Sequence, residues 1–323
     1  MEGLFLAAGV VIVTYNSGEV ILNCLDALAE MAPGVIAMVV DNASTDETVN
    51  LVRRRAVVNP GVKLVANREN RGFSGAANQG FREATGDPIL LLNPDVQLRS
   101  PLTTLIEACQ AHGLAAGQLT AADGSVQAGF TIRRFPTPAS LAFELLGINR
   151  LWPGNPVNRR YRYIDRDLNS EGPVEQPAGA FLMARRDAWE RLGGLDEDFH
   201  PVWFEDVDFC QRAAAAGYRI QYVPQVRGQH LGGHSVRKLP AGRMEVYWYD
   251  SLLTYGAKHF RPWPYRGICL VAVLSTVPRM IAGMFREKSP NPVVSCVQIM
   301  RLAVKRLLSG VRPAQRPGRA EKI

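Results

Sequence analysis

The segment Ile89-Leu90-Leu91-Leu92-Asn93-Pro94-Asp95-Val96 constrains the fold most, because four apolar residues run directly into two oxygen-bearing side chains across a proline. A short run that is apolar throughout and bounded by turn residues reads as a strand buried on both faces, as in parallel α/β sheets. Proline bars the helical region to Asn93 and lacks an amide donor, so the strand stops there and leaves Asn93 and Asp95 beyond its carboxyl end. In open α/β sheets that edge is where ligands bind. Taken alone, the pair reads first as an ordinary turn, since Asn and Asp are turn formers.

Preceding segments repeat the pattern. Val10–Val13 is a β-branched run that ends at Thr14-Tyr15-Asn16-Ser17-Gly18, a first strand with a polar loop at its carboxyl end. Val20, Leu22, Leu25, Leu28 and Ala29 then recur at helical spacing until Pro33-Gly34. A second strand, Val35–Val40, ends at Asp41-Asn42. Ser44, with Glu47 three residues on, predicts a capping box, which assigns Ser44, Asp46 and Glu47 to helix initiation and leaves Asp41 as a candidate ligand contact. After a third strand, Val62–Ala66, Gly72 and Gly75 permit close backbone approach to a ligand. The helix starting at Ala76-Ala77 would turn its amino end toward a diphosphate. Four strand-and-turn units alternating with helices before residue 100 predict an α/β fold with a Rossmann-like, mostly parallel sheet flanked by helices.

A chain of 323 residues accommodates one large α/β domain of roughly 250 residues with an appendage, or two smaller domains. Five scattered cysteines predict reduced, buried thiols and a cytosolic compartment. Glu2 stands where a signal peptide would be positive, so no cleaved leader is expected. Between 117 and 177, Gly, Pro and Arg are frequent and no period survives. This region reads as loops, short strands and a substrate-side insertion, with Arg133-Arg134 and Arg159-Arg160 as a solvated basic surface or, alternatively, phosphate contacts.

Order returns with an apolar strand, Gly179–Ala184, and a helix, Arg186–Leu192. A second constellation follows at Phe204-Glu205-Asp206-Val207-Asp208. Three carboxylates within four residues repel one another unless a cation, an arginine or an acid/base task holds them. A helix beginning here would also favour acidic residues in its first turn, and Asp208 and Arg212 are spaced for an ion pair. His230 and His234, after a strand at Arg219–Val223, suggest metal or phosphate work.

In this order Thr14-Tyr15-Asn16, Asp41-Asn42, the glycine-rich Asn70–Gly80, Asn93-Pro94-Asp95, Phe204–Asp208 and His230–Ser235 resemble the motifs of family 2 glycosyltransferases of GT-A fold. The likeness is greatest to bacterial rhamnosyltransferases of cell-wall and O-antigen assembly, and runs from about Val10 to Phe260. The resemblance implies that Thr14, Tyr15, Asn16 and Asp41 hold the base and ribose of a nucleotide-sugar donor, with Asn42, Gly72, Asn78 and Asn93 in the same donor site. Asp95 is then the metal-binding end of an Asp-X-Asp motif whose first aspartate is Asn93, a departure shared by the rhamnosyltransferase branch. Mg²⁺ or Mn²⁺ would neutralise the leaving diphosphate, and His230 as a second ligand would tilt the choice toward Mn²⁺. Asp206 takes the role of general base, with Glu205 as its neighbour and fallback, and a single in-line displacement inverts the anomeric centre. The implied donor is dTDP-rhamnose and the implied acceptor a polyprenyl-diphosphate-linked or cell-surface glycan. Alternatives are another donor such as UDP-galactofuranose, or a nucleotide-sugar-binding module without catalysis, which the loss of charge at Asn93 suggests. A nucleotidyltransferase would carry a glycine-rich, basic loop after its first strand, and Thr14–Gly18 does not supply one.

The charge of +7 is uneven. From Lys258 onward 13 Lys or Arg face only Glu287 and Glu321, so this region carries +11 and the first 257 residues −4. The expected organisation is a catalytic domain over 1–260, a basic amphipathic helical appendage over 261–311 and a disordered tail over 312–323. Ile268–Phe285 contains Pro278 and Arg279, which makes it a poor membrane span and a better interfacial helix. In Val293–Leu308 the polar residues Gln298, Arg301 and Lys305 recur at helical spacing. These features predict a cytoplasmic protein held peripherally on the inner face of the cytoplasmic membrane. Nucleic acid is not an expected partner, because the tail lacks interleaved aromatics and the body is slightly acidic.

Overall fold

The computed structural model describes residues 8–232, 241–287 and 291–310. Its first half alternates as the sequence predicts: β1 (Gly9–Thr14), α1 (Ile21–Met31), β2 (Ile36–Asp41), α2 (Thr48–Val58), β3 (Val62–Ala66), α3 (Gly72–Glu83) and β4 (Ile89–Leu92). There follow β5 (Val96–Leu98), α4 (Thr103–His112), β6 (Gly113–Thr120), β7 (Ile132–Arg133), α5 (Pro138–Leu145), α6 (Ile148–Leu151), α7 (Pro156–Tyr161), β8 (Gly172–Val174) and β9 (Gln176–Pro177). Then come β10 (Phe181–Ala184), α8 (Arg186–Leu192), α9 (Glu205–Ala215) and β11 (Arg219–His230), and three long helices close the described chain: α10 (Ala241–His259), α11 (Pro262–Glu287) and α12 (Asn291–Ser309).

The main sheet runs β3-β2-β1-β4-β10-β6-β11-β5, with β8 also paired to β11. β1, β2, β3, β4, β6 and β11 point one way, while β5, β8 and β10 run against them. Every residue of β1 and β4 is buried. Val10, Ile12, Leu90 and Leu92 feed one core, and Val11, Val13, Ile89 and Leu91 feed the core on the opposite face. Each such fully buried side chain contributes about 1.5–3 kcal/mol, which explains why these strands are apolar throughout rather than alternating. A third core joins Leu141 and Leu145 of α5, Phe204, and residues of α10, α11 and α12 such as Tyr249, Tyr265 and Ile299.

Several local expectations are corrected. The Ser44 capping box does not form: α2 starts at Thr48, whose amide donates to Asp46 Oδ1 at 3.0 Å, while the Ser44 hydroxyl donates to Asp41 Oδ1 at 2.5 Å. α3 starts at Gly72 rather than Ala76. The region from 117 to 177 holds the end of a central strand, β6, and three short helices as well as loops. β11 does not stop at Val223 but continues to His230 across a bulge between Val223 and Arg227. All five cysteines are free and buried. His234, Ser235 and residues 312–323 lie outside the described residues. Among the described residues no helix is long and apolar enough to cross a membrane.

Candidate active site

A cleft of about 440 Å³ opens beyond the carboxyl ends of β1 and β4. Asn93, Pro94, Asp95, Phe130, Arg133, Gly179, Trp203, Asp206, His230 and Trp248 all contribute to its lining.

The break at Pro94 builds one part of it. The Asn93 amide donates to Ala180 O at 3.0 Å and the Val96 amide to Asn93 O at 3.1 Å, so the chain turns tightly from β4 into β5. Antiparallel pairing then sets Val96 opposite His230. This register brings His230 Nε2 to 3.5 Å from Asp95 Oδ1, both residues being buried. Gln127 fixes the imidazole: its Nε2 donates to His230 O at 2.8 Å, so its Oε1 must be the acceptor that meets His230 Nδ1 at 2.9 Å. The Nδ1 therefore carries the proton in the neutral ring, and Nε2 turns its lone pair toward the carboxylate. Among the described residues Nε2 has no hydrogen-bond partner. A buried Nε2 facing a carboxylate oxygen at this distance is satisfied either by a proton, as an imidazolium–carboxylate pair, or by a cation between the two atoms, and the N,O pair is chemically suited to a divalent metal. It is a two-residue set, since no group of three or more His, Cys, Asp or Glu is placed for a metal among the described residues.

The second part comes from α9. Trp203 and Phe204 take φ values of 82° and 68°, costing of order 1–3 kcal/mol each for bulky residues. Packing of Phe204 on Tyr255, with ring centroids 5.5 Å apart, holds the turn in place. It delivers Asp206 to the cleft wall, where Oδ2 accepts from Gly179 N and Oδ1 from Val207 N, each at 2.8 Å. Burial raises the Asp206 carboxyl above its ordinary range against the two amides and the charge of Arg133. Glu205 is buried and does not line the cleft, and its Oε2 has no partner among the described residues. Burial, then the adjacent Asp206, pushes it well above the usual range. Asp208 makes the expected pair with Arg212 at 2.7 Å, and also meets His259 and Lys258.

Gly179 is tied to this geometry by close approach, since a Cβ there would lie 2.8 Å from Asp206 Cβ. Gly179→Ala should therefore displace the carboxylate and lower kcat by about 10- to 100-fold, by analogy with small misplacements of reacting groups, with an overpacking cost of about 1–3 kcal/mol in stability. Steady-state kinetics beside a thermal melt checks this.

The other expected donor residues are placed less uniformly. Thr14 and Asp41 face each other in the β1–β2 register, and the Thr14 hydroxyl donates to Asp41 Oδ1 at 2.9 Å. Asp41 also accepts from Ser44 N and Oγ, so it organises the loop. Asn16, at φ 51°, accepts from Thr45 N, and its own amide donates to Ser44 Oγ, as does the Tyr15 amide to Ser17 Oγ. Asn42 brackets Asn70, Gly72 and Arg71. Asn78 is not brought to the cleft: it clasps Leu195 through both backbone groups and Glu197. At the amino end of α3, Gly72 N is taken by Asn70 Oδ1 and Phe73 N by Pro201 O, so its first two amides are already engaged within the protein. The cleft residues Gly179, Trp203 and Trp248, and Gln127 which braces His230, carry no functional signal in the sequence, while Arg133 is one of two alternatives there.

The family model described as glycosyl transferase family 2 matches residues 9–193. The chain is a family 2 glycosyltransferase. A second model, described as the N-terminal domain of galactosyltransferase, matches residues 160–233. This glycosyltransferase is 28% identical over 270 residues to the N-acetylglucosaminyl-diphospho-decaprenol L-rhamnosyltransferase of Mycobacterium tuberculosis, across 79% of this chain and 85% of the relative. It is 27% identical over 161 residues to rhamnosyltransferase WbbL of Escherichia coli, across 49% of this chain and 57% of the relative. Its fold is similar to that of a mannosyltransferase from Pyrobaculum calidifontis in complex with GDP-Man and Mn²⁺, at a TM-score of 0.53 and 19% identity over 94% of this chain and 87% of that one. The first 349 residues of S. aureus TarS, in complex with UDP-GlcNAc, match with a TM-score of 0.51 and 16% identity over 94% of this chain and 83% of theirs. The glycosyltransferase thus has the GT-A architecture, a mostly parallel sheet flanked by helices with further helices at its carboxyl end.

Proposed function

We propose that this glycosyltransferase inverts the anomeric centre as it moves rhamnose from dTDP-rhamnose onto a polyprenyl-diphosphate-linked or cell-surface glycan, at the inner face of the cytoplasmic membrane. The observation that carries the reading is a single cleft lined by both the Asp95 and His230 pair and the Asp206 carboxylate. The Mycobacterium relative, by its name, acts on a diphospho-decaprenol acceptor and transfers L-rhamnose, which supports the donor and the acceptor class.

In this reading Asp206 accepts the proton of the acceptor hydroxyl as that oxygen bonds to the anomeric carbon and the bond to the donor diphosphate breaks. Gly179 and Val207 amides hold the carboxylate, and burial makes it a stronger base than a solvated aspartate. Arg133 contributes positive charge to the cleft. Asp95 and His230 would hold Mn²⁺ or Mg²⁺, and the solved neighbours with bound Mn²⁺ support that. When bound, the ion neutralises the charge that develops on the diphosphate. Thr14, Tyr15, Asn16, Asp41 and Asn42 form or brace the nucleotide loops, with Asn93 beside Asp95.

A second reading, transfer of another sugar such as galactofuranose from UDP, is favoured by the galactosyltransferase model over 160–233. Release of nucleoside diphosphate from a panel of dTDP- and UDP-sugars, with membrane lipid extract as acceptor source, separates the two. The expected result is turnover of dTDP-rhamnose, lost in EDTA and restored by Mn²⁺. Gln127→Leu, which frees the His230 ring from its bracket, should raise the Mn²⁺ requirement by about 10- to 100-fold. Turnover of a UDP-sugar instead moves the proposal to the second reading. Binding of dTDP-rhamnose without turnover of any donor leaves a nucleotide-sugar-binding module.

A further inference from the structure

The carboxyl-terminal helices bury one face and leave the other bare. On α11, Tyr265, Ile268, Cys269 and Ala272 pack into the third core, while Trp263, Leu270, Leu274, Val277 and Ile281 are 45 to 78% exposed. Those five follow one another at intervals of seven, four, three and four residues, which keeps them on a single line along the helix. At 1.5 Å per residue the line is about 27 Å long. α12 packs beside α11 and buries Cys296, Ile299 and Ala303. Its opposite side exposes Val294, Val297, Val304 and Leu308, interleaved with the exposed Arg301 and Lys305. Such a surface exceeds the scattered apolar residues normal to a monomer.

We infer that the outer surface of the α11–α12 pair is a docking face for a bilayer with anionic headgroups, laid flat in the interface. Charge selects this occupant. Between Lys258 and Gly310 the sequence has a single carboxylate, Glu287, so a second copy seated face to face would oppose Arg301 and Lys305 with like charge. An anionic lipid surface complements them, while the apolar line enters the boundary between headgroups and acyl chains. Trp263, with the Arg266 guanidinium 5.2 Å from its ring centroid, has the mixed apolar and cationic character of an interfacial anchor. The helix contains Arg266, Pro278 and Arg279 and is not apolar enough to cross a membrane, so it lies on the surface. In this arrangement the apolar line on α11 supplies the insertion and α12 the charge. The same helices share the third core with Leu141 of α5, a cleft residue, so docking would set the cleft at a fixed height above the lipid.

The inference deepens the proposed function, on whose lipid-linked acceptor its purpose rests, but its test needs neither donor nor acceptor. The full chain is spun down with vesicles of phosphatidylglycerol mixed into phosphatidylcholine, and with phosphatidylcholine alone. Wild type should sediment with the mixed vesicles and bind the neutral ones at least about tenfold more weakly. Leu274→Glu with Ile281→Glu should abolish sedimentation. Arg301→Gln with Lys305→Gln should weaken binding to mixed vesicles by about 30-fold, two basic contacts' worth, and leave neutral vesicles unchanged. All four positions are exposed, and an unchanged thermal melt verifies that the variants fold. Binding that ignores both pairs of substitutions overturns the inference. So does a wild-type dimer that stays off vesicles and that Leu274→Glu with Ile281→Glu converts to monomer in light scattering. Failure of the donor panel with intact vesicle binding would instead count against the proposed function alone.

Discussion

Asp206→Asn is expected to lower kcat by about 10²- to 10⁴-fold, the usual contribution of a positioned general base, while donor affinity stays within a few-fold. Asn keeps the shape and one acceptor, so of the two amide bonds from Gly179 and Val207 one is retained. What it cannot do is take a proton from the acceptor hydroxyl. Wild-type kcat/KM should show the same group titrating. A base works only when ionised, so activity is present at high pH and lost as pH falls through the Asp206 pKa. Burial raises that pKa, so the acid limb should lie above the ordinary aspartate value of 3.8. Glu205→Gln supplies the comparison, because Glu205 does not line the cleft and should be worth less than about tenfold. Were Glu205→Gln the inactive variant and Asp206→Asn the active one, the two roles would have to be exchanged.

The residues that could be read from the sequence are those whose environment is local. β1, β2 and β4 are apolar because both faces are covered, and their polar ends at Thr14, Asp41 and Asn93-Asp95 stand together because parallel strands in register end together. Where a partner distant in sequence decides the matter, the reading failed. β6 carries Gly-Leu-Ala-Ala-Gly-Gln-Leu-Thr, weak as a strand, and its Gly117 is required because a Cβ would meet the Phe181 ring at 2.3 Å and Val226 O at 2.7 Å. Pro224 reads as the end of a strand, but the bulge after Val223 absorbs it and carries β11 on to His230. Ser44 is the local exception: it has the spacing of a cap, yet Asp41, three residues before it, takes its hydroxyl. Asn78 looks like a ligand contact because it is polar in a glycine-rich stretch, whereas its amide closes a loop 117 residues away. Gln127 has no local signal at all, since its role depends on the strand pairing that brings His230 to it across 103 residues.

Asp208→Asn should cost about 3–5 kcal/mol of stability at neutral pH, the penalty for breaking a buried charge cluster by removing one member. The carboxylate is fully buried, with Arg212 Nε at 2.7 Å, Lys258 Nζ at 3.0 Å and His259 Nε2 at 2.7 Å. Asp196 also pairs with Lys258, so the cluster ties the start of α9, which carries Asp206, to the end of α10. Removing Asp208 leaves Arg212 and Lys258 near one another with only Asp196 to balance them. Burial by itself would raise the Asp208 carboxyl, but the His259 hydrogen bond and the charges of Arg212 and Lys258 overcome it and hold the group well below the ordinary range. A depressed carboxyl stabilises the fold above its unfolded pKa, and that stabilisation is lost as pH falls through the folded value. The gap between wild type and Asp208→Asn should therefore be present at neutral pH and shrink as pH falls below the ordinary value of 3.8. Urea unfolding across that range measures it. A variant within about 1 kcal/mol of wild type at pH 7 would mean that desolvation cancels the pairing. In that case α9 is held by the third core, through Val207 and Phe204, rather than by its charges.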